Sequence, residues 1–309
     1  MKILISCFLL FLSANAQMQS RTKALMGTFI TISLQKNDKH YFNGAFSILN
    51  NVDKSLSSYN KESPIYRLNK NKKVQLNKYS YEALYLSQIY YKKSHTYFNI
   101  AIGAITKDLY RFGEEQRLVS KEALLNSNSS FYDLEFTPTH AKISKNIKID
   151  LGGMGKGFGV DKVAEYLKKK SVSKAIIALS GDIRCLHKCY IDINDPFSEQ
   201  PLISFKTLKR DTGISTSGNY NRYVESTKNN HLINPNTKTS QQNFISITLI
   251  SNLPSSALDA YATASSVMPK TEAYDFLNSL NLAYIILEND KSLHMSDNLN
   301  LFVENTRAK

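Results

Sequence analysis

The chain has 309 residues, 42% of them hydrophobic, with a formal net charge of +13 at pH 7. That length suits one large domain or two intimate subdomains with a substantial core. The lysines are scattered through Asn-, Ser- and Tyr-rich sequence instead of clustering. The charge therefore reads as solvation with a weak bias towards a phosphorylated ligand, and nucleic acid is set aside as a partner.

Residues 1–16 read as a secretory signal: Lys2, a short apolar stretch from Ile3 to Leu12, then Ala14-Asn15-Ala16 before Gln17. The stretch is too short to span a bilayer. Cys7 precedes most of the apolar run, which argues against lipidation there. One domain, 17–309, remains, and no later run of eighteen apolar residues occurs in it, so the mature chain is expected to be soluble.

Residues 24–34 (ALMGTFITISL) alternate as a strand. Between Asn37 and Leu56, Phe42, Phe46, Leu49 and Val52 recur at helical spacing. Residues 56–70 read as a polar loop broken at Pro64, and 80–94 as a helix with Ser80 at its N-cap. Residues 97–105 are apolar and punctuated by Gly103, and 114–130 form a polar connector. YDLEFT (132–137) and NIKIDL (146–151) look like paired strands across a turn holding Pro138. Residues 174–186 (KAIIALSGDIRCL) begin as a strand ending in Ser-Gly-Asp. Loop and strand signals then alternate to ISITLI (245–250), before helices over 254–268 and 270–280 and a late strand, LAYIILE (282–288). The mixture predicts an α+β fold, with mixed, largely antiparallel sheets and packed helices.

Between NIKIDL and the next helix lies IDLGGMGKGFGVDKVAEYLKKK (149–170). It fails the dinucleotide fingerprint, because Phe158 or Val160 stands where the third glycine belongs. It fails the Walker pattern too, with Asp150 at the first glycine position and Gly157 after Lys156. Small residues still let backbone N–H groups approach a phosphate, and a helix beginning near Gly157 adds its positive end. Lys156 could reach a phosphate, and Asp150 could accept hydrogen bonds from a sugar or base. A tight strand–helix turn explains the glycines equally well, and the stretch alone leaves both open.

Asp259 and Thr263 stand at i and i+4, on one helical face among small Ala and Ser residues. A carboxylate and a hydroxyl there suit a hard cation, though spacing alone favours an ordinary helix. His231, before an Asn-Pro turn, is a candidate general base or a structural histidine. After processing, Cys185 and Cys189 remain, and they read as two thiols. A disulfide is the second reading and a zinc site with His187 the last, for want of ligands.

These pieces occur in one order, and that order resembles the ApbE-type flavin transferases, the FAD:protein FMN transferases. The resemblance runs through MGTFITISL, DKSLSSYNKESPIYRLN, YFNIAIGAITKDLYRFG, IDLGGMGKGFGVDKVAEYL, ALSGDIR, GISTSGNYNRYV, HLINPNTK and ALDAYATASSVM. It implies an extracytoplasmic, Mg²⁺-dependent enzyme that cleaves the FAD pyrophosphate. FMN is then attached to a Thr or Ser of an acceptor flavoprotein, and AMP leaves. The signal suits that place: exported across the inner membrane to the periplasm, with room for peripheral membrane association. Subunits of membrane redox complexes are candidate acceptors.

By the resemblance, Met26, Tyr59, Phe98 and Asn99 line the FAD, Asp150 binds it and Lys156 lies near the nucleotide. The Gly153 carbonyl, Asp259 and Thr263 hold the metal. His231 contacts FAD and activates the acceptor hydroxyl. The chain departs from the family pattern at Asn99 (usually Asp), Ala104 (Pro), Tyr110 (Trp), Ser180 (Gly) and in NPNTK (usually Asp-Pro-x-Thr-Gly). Hydrolysis of FAD to FMN and AMP, and flavin binding without catalysis, are the alternatives on the same residues.

Overall fold

A computed structural model describes residues 18–308. The signal reading, 1–16, lies outside the described residues. The chain opens with a hairpin of β1 (Met18–Leu25) and β2 (Thr28–Gln35), followed by α1 (Phe42–Leu56), α2 (Pro64–Asn71), β3 (Lys73–Gln75) and α3 (Lys78–Lys93). After α4 (Lys121–Asn126), β4 (Leu134–Phe136) and β5 (His140–Ile143) comes α5 (Gly155–Lys169). Then follow β6 (Ala175–Leu179), β7 (Asp182–Cys185), β8 (Tyr190–Asn194), β9 (Pro201–Thr207), β10 (Thr212–Gly218), β11 (Tyr223–Val224) and β12 (Ser226–Asn230). The chain closes with β13 (Phe244–Ser251), α6 (Ser255–Val267), α7 (Lys270–Asn278), β14 (Ala283–Glu288), β15 (Leu293–Met295) and β16 (Val303–Ala308).

The main sheet has eight strands in the order β1-β2-β6-β7-β10-β13-β14-β15, and each neighbouring pair is antiparallel. α1 and α5 cover one end of a face through Ile30, Ile32, Leu179, Leu49 and Val163. α6 lies on the same layer further along, against Ile247 and Leu249. The opposite face is covered by the sheet β16-β9-β8 through Ile203, Phe205, Ile214 and Ile285. β13 is sandwiched, so every one of its residues is buried, Ser246, Thr248 and Ser251 included. The expected α+β, largely antiparallel fold is therefore observed. No helix among the described residues is long and apolar enough to cross a membrane.

Several local expectations change. Residues 24–34 are not one strand, because Met26 (φ 54°) and Gly27 (φ 71°) form a two-residue hairpin turn. Pro64 starts α2 instead of breaking a loop: its fixed φ suits a first turn, and the Ser63 side chain accepts from Ile65 N–H. Asn77, not Ser80, is the N-cap of α3, and the two close a reciprocal capping box. The connector 114–130 contains the short helix α4. β4 pairs with β5, not with NIKIDL. NIKIDL has its backbone claimed by α2 and the turn after it: Asn69 bonds both N–H and C=O of Ile149, and Lys72 Nζ donates to Ile147 O. Residues 174–186 fold as a hairpin, β6 and β7, turning at Ser180-Gly181.

Cys185 and Cys189 are joined in a disulfide, which corrects the reading of two thiols. The chain reverses between β7 and β8, bringing both side chains into the apolar cluster of Ile191, Phe205 and Ile285 with their Cα atoms 6.2 Å apart. A loop this short constrains the unfolded chain by about 2 kcal/mol. The Cys185→Ala/Cys189→Ala protein is expected to lose about that much stability in urea unfolding while keeping its activity.

Candidate active site

A cavity of about 720 Å³ opens where α5, α6, the ends of β7 and β10 and the loops after α1, α3 and β12 converge. That is the size of a site for a cofactor-sized ligand. All ten residues singled out from the sequence line it: Met26, Tyr59, Phe98, Asn99, Asp150, Gly153, Lys156, His231, Asp259 and Thr263.

α6 supplies two of them. Its sequence, SSALDAYATASSV, is small on every side, and every residue of the helix is buried except Thr263, which faces the cavity. Small residues let α5 come very close. A Cβ on Gly157 would lie 2.3 Å from Ser255 O and 2.9 Å from Asp259 Cβ. The contact is locked by Asp161 of α5, which accepts from Ser255 N (2.7 Å), Ser256 N (2.9 Å) and Ser256 Oγ (2.7 Å) and so caps α6 from a neighbouring helix. Gly157→Ala is therefore expected to cost about 1–3 kcal/mol or more, read as a lower melting temperature, because backbone must move. It should also weaken ligand binding, since the two helices carry the site.

Asp259 is buried, and its carboxylate sits at the start of α5, accepting from Gly157 N at 3.1 Å. Burial and the nearby Asp182 carboxylate push its pKa up. Lys156 Nζ lies 2.8 Å from Asp182 and 3.3 Å from Asp259. Burial disfavours that ammonium, but the two carboxylates outweigh it and hold its pKa above the usual lysine range. Lys156 is thus engaged with carboxylates instead of projecting towards a phosphate. Thr263 Oγ1 is 3.4 Å from the Gly153 carbonyl oxygen and 3.5 Å from Ser217 Oγ. Cis oxygens around an octahedral ion stand about 3 Å apart, so Thr263 and Gly153 are close to a ligand pair. No group of three His, Cys, Asp or Glu placed to hold a metal ion occurs among the described residues. One carboxylate with neutral oxygens is a donor set for a hard ion that keeps water or phosphate ligands.

Asp150 accepts from Thr106 Oγ1 at 2.6 Å and Gly152 N at 2.9 Å, with Lys107 Nζ at 3.5 Å. Burial opposes its charge, yet Lys107, Thr106 and the Gly152 N–H outweigh burial and hold its pKa below the usual range. Lys107 also donates to Tyr59 Oη at 2.8 Å, and Tyr59 donates on to Phe112 O at 2.8 Å. Tyr59 keeps part of its ring exposed in the cavity mouth. Asn99 Nδ2 donates to Ser129 O while its Oδ1 accepts from Ala101 N. The first bond needs an amide, so Asn at this place ties two loops in a way Asp cannot. Ser180 has a φ of 56°, a conformation that favours the glycine usual in the family pattern.

His231 follows β12. Its Nδ1 lies 3.1 Å from the Arg222 carbonyl, which can only accept, so the proton is on Nδ1 and Nε2 keeps its lone pair. Burial first, then the Arg222 charge, push the imidazole down to about 4, so it is neutral at pH 7. An unfolded chain takes up this proton below about pH 6.5 and the folded one refuses it until about 4. Acid therefore destabilises the fold through His231 across that window. His231→Gln is expected to flatten the fall of stability between those pH values in urea titrations.

Sequence reasoning missed Thr106, Lys107, Ser217 and Arg222, which line the cavity, and Asp182, which meets the cavity-lining Lys156 from β7.

The ApbE family profile matches residues 26–286. A FAD:protein FMN transferase of Klebsiella pneumoniae is 26% identical over 77% of this chain and 79% of its own. One of Buchnera aphidicola is 28% identical over 76% of this chain and 75% of its own. Among solved structures, an ApbE protein of Thermotoga maritima superposes with a TM-score of 0.83 at 19% identity, covering 94% of this chain and all of the other (100%). The flavin transferase ApbE of Vibrio cholerae superposes at 0.80 with 20% identity, over 93% of this chain and 99% of its own. At such identities the structures speak for the fold, and the match across most of the chain speaks for descent: this chain belongs to the ApbE family.

Proposed function

We propose that this protein is an FAD:protein FMN transferase that moves FMN from FAD to a Ser or Thr hydroxyl of an acceptor flavoprotein and releases AMP. The observation that carries it is a neutral His231 with a free Nε2 in the same cavity as the oxygen set of Gly153, Asp259 and Thr263. The names of the relatives support the same reading.

His231 Nε2 takes the hydroxyl proton as the acceptor oxygen attacks the FMN-side phosphorus. The new P–O bond forms as the pyrophosphate P–O bond breaks, and AMP departs with the bridging oxygen. Mg²⁺ held by Asp259, Thr263 Oγ1 and the Gly153 carbonyl would neutralise charge on the phosphates. Asp150, fixed by Thr106 and Gly152, keeps acceptor lone pairs for the nucleoside side. Lys107 and Arg222 add positive charge on the His231 side of the cavity, which suits a dianionic pyrophosphate.

Export to the periplasm belongs to this proposal. It rests on the signal-like segment 1–16, and the Cys185–Cys189 disulfide supports an oxidising compartment. A subunit of a membrane redox complex is the proposed acceptor class. The test is incubation with FAD, Mg²⁺ and an acceptor domain. An acceptor that fluoresces after denaturing electrophoresis is expected. Free FMN and AMP with an unlabelled acceptor would mean that water is the nucleophile, and uncleaved FAD would reject catalysis altogether.

A further inference from the structure

We infer that Lys156 serves as a built-in counter-cation for Asp259, and that Asp182 is the positioning residue that lets it surrender this carboxylate to a metal ion. The inference rests on the metal reading above and assigns a role to a residue outside it. Three elements meet here: Lys156 from the first turn of α5, Asp259 from α6 and Asp182 from the first position of β7.

Asp182 is only 1% exposed. Its Oδ1 accepts from Ser215 Oγ at 2.5 Å, and its Oδ2 has no hydrogen-bond partner among the described residues, facing only the Lys156 ammonium as an ion pair at 2.8 Å. A buried carboxylate oxygen kept for one ammonium is costly unless that ammonium stays. The Lys156 Nζ distances order the two partners: 2.8 Å to Asp182 and 3.3 Å to Asp259. The ion pair with Asp182 is the shorter one, and the hydrogen bonds to the two Asp259 oxygens, at 3.4 and 3.3 Å, are long enough to give way.

Two carboxylates facing one ammonium leave an excess negative charge at the place where Thr263 and Gly153 present their oxygens. A divalent ion arriving at Asp259 needs the ammonium to withdraw. With Asp182 behind it, Lys156 withdraws onto a partner it already holds, and no charge is stranded. Without Asp182, Asp259 is the sole counter-ion for Lys156, and metal and ammonium compete for it directly. Without Lys156, two carboxylates face each other, so the metal-free protein is strained by repulsion and the metal-bound one is relieved of it.

The test is titration of the full chain with Mg²⁺ alone, followed by calorimetry, with melting temperatures in EDTA and in Mg²⁺. Asp182→Asn keeps the acceptor for Ser215 and is expected to weaken Mg²⁺ binding about tenfold. Lys156→Met is expected to melt lower than wild type in EDTA and to be stabilised by Mg²⁺ more than wild type is. The double variant is expected to bind Mg²⁺ at least as tightly as wild type, because the competitor is gone. A merely structural Asp182 would leave the double variant as weak as Asp182→Asn, and that result overturns the inference. So does unchanged Mg²⁺ affinity in Asp182→Asn, or, should that variant not fold, a Lys156→Met protein whose melting in EDTA matches wild type. Wild-type protein that binds no Mg²⁺ rejects the metal reading and the inference together, whereas wild-type binding without the variant pattern rejects the inference alone.

Discussion

Asp259→Ala is expected to abolish FMN transfer while the protein stays folded. Asp259 is the one carboxylate of the oxygen set, and Gly153 and Thr263 bring only neutral oxygens. Losing it removes the charge that would hold a divalent ion against the pyrophosphate. Charge stabilisation of this kind is worth several kcal/mol, so transfer should fall by about a thousandfold or more. The fold is spared for a specific reason: Lys156 keeps its shorter ion pair to Asp182, so no buried ammonium is orphaned. Acceptor fluorescence after electrophoresis and the circular dichroism melt measure the two halves. An Asp259→Ala protein that labels its acceptor at the wild-type rate would remove the metal from the mechanism.

The second large effect is expected at His231. His231→Ala should slow transfer by roughly a hundred- to ten-thousand-fold, the usual worth of a positioned base. FAD affinity should change far less, because the imidazole works through Nε2 on the incoming hydroxyl. Its pKa of about 4 keeps it an acceptor throughout the neutral range. Stopped-flow FAD binding beside initial transfer rates separates the roles. Equal losses in both would make His231 a flavin contact and no base.

Much of the fold was legible because burial wrote it into the periodicity. The apolar spacing of α1 follows from the sheet that it covers. What stayed hidden is tertiary. NIKIDL has the composition of a strand, yet Asn69, nearly eighty residues earlier, takes its hydrogen bonds. α6 has no cap of its own, and Asp161 provides one from α5. The disulfide depends on how the chain reverses between β7 and β8.

The same holds for the site. Its ten residues could be placed by the order of the motifs, and the cavity gathers them. Lys107 and Asp182 could not, because a lysine in a polar stretch or an aspartate after a glycine acquires meaning only from the carboxylate or ammonium that faces it. Lys156 shows the limit most clearly, since spacing suggested a phosphate partner and the structure gives it two carboxylates.

The near-total burial of α6 has a consequence for the life of the enzyme. A helix enclosed on all sides except at Thr263 has no route to partial opening. Its amide protons should exchange with solvent only when the whole molecule opens, and so belong to the slowest set. The oxygen donors it carries cannot drift out of register while the rest of the domain persists. On heating, catalytic competence and global structure should therefore disappear in one transition, with no inactive but folded stage between them.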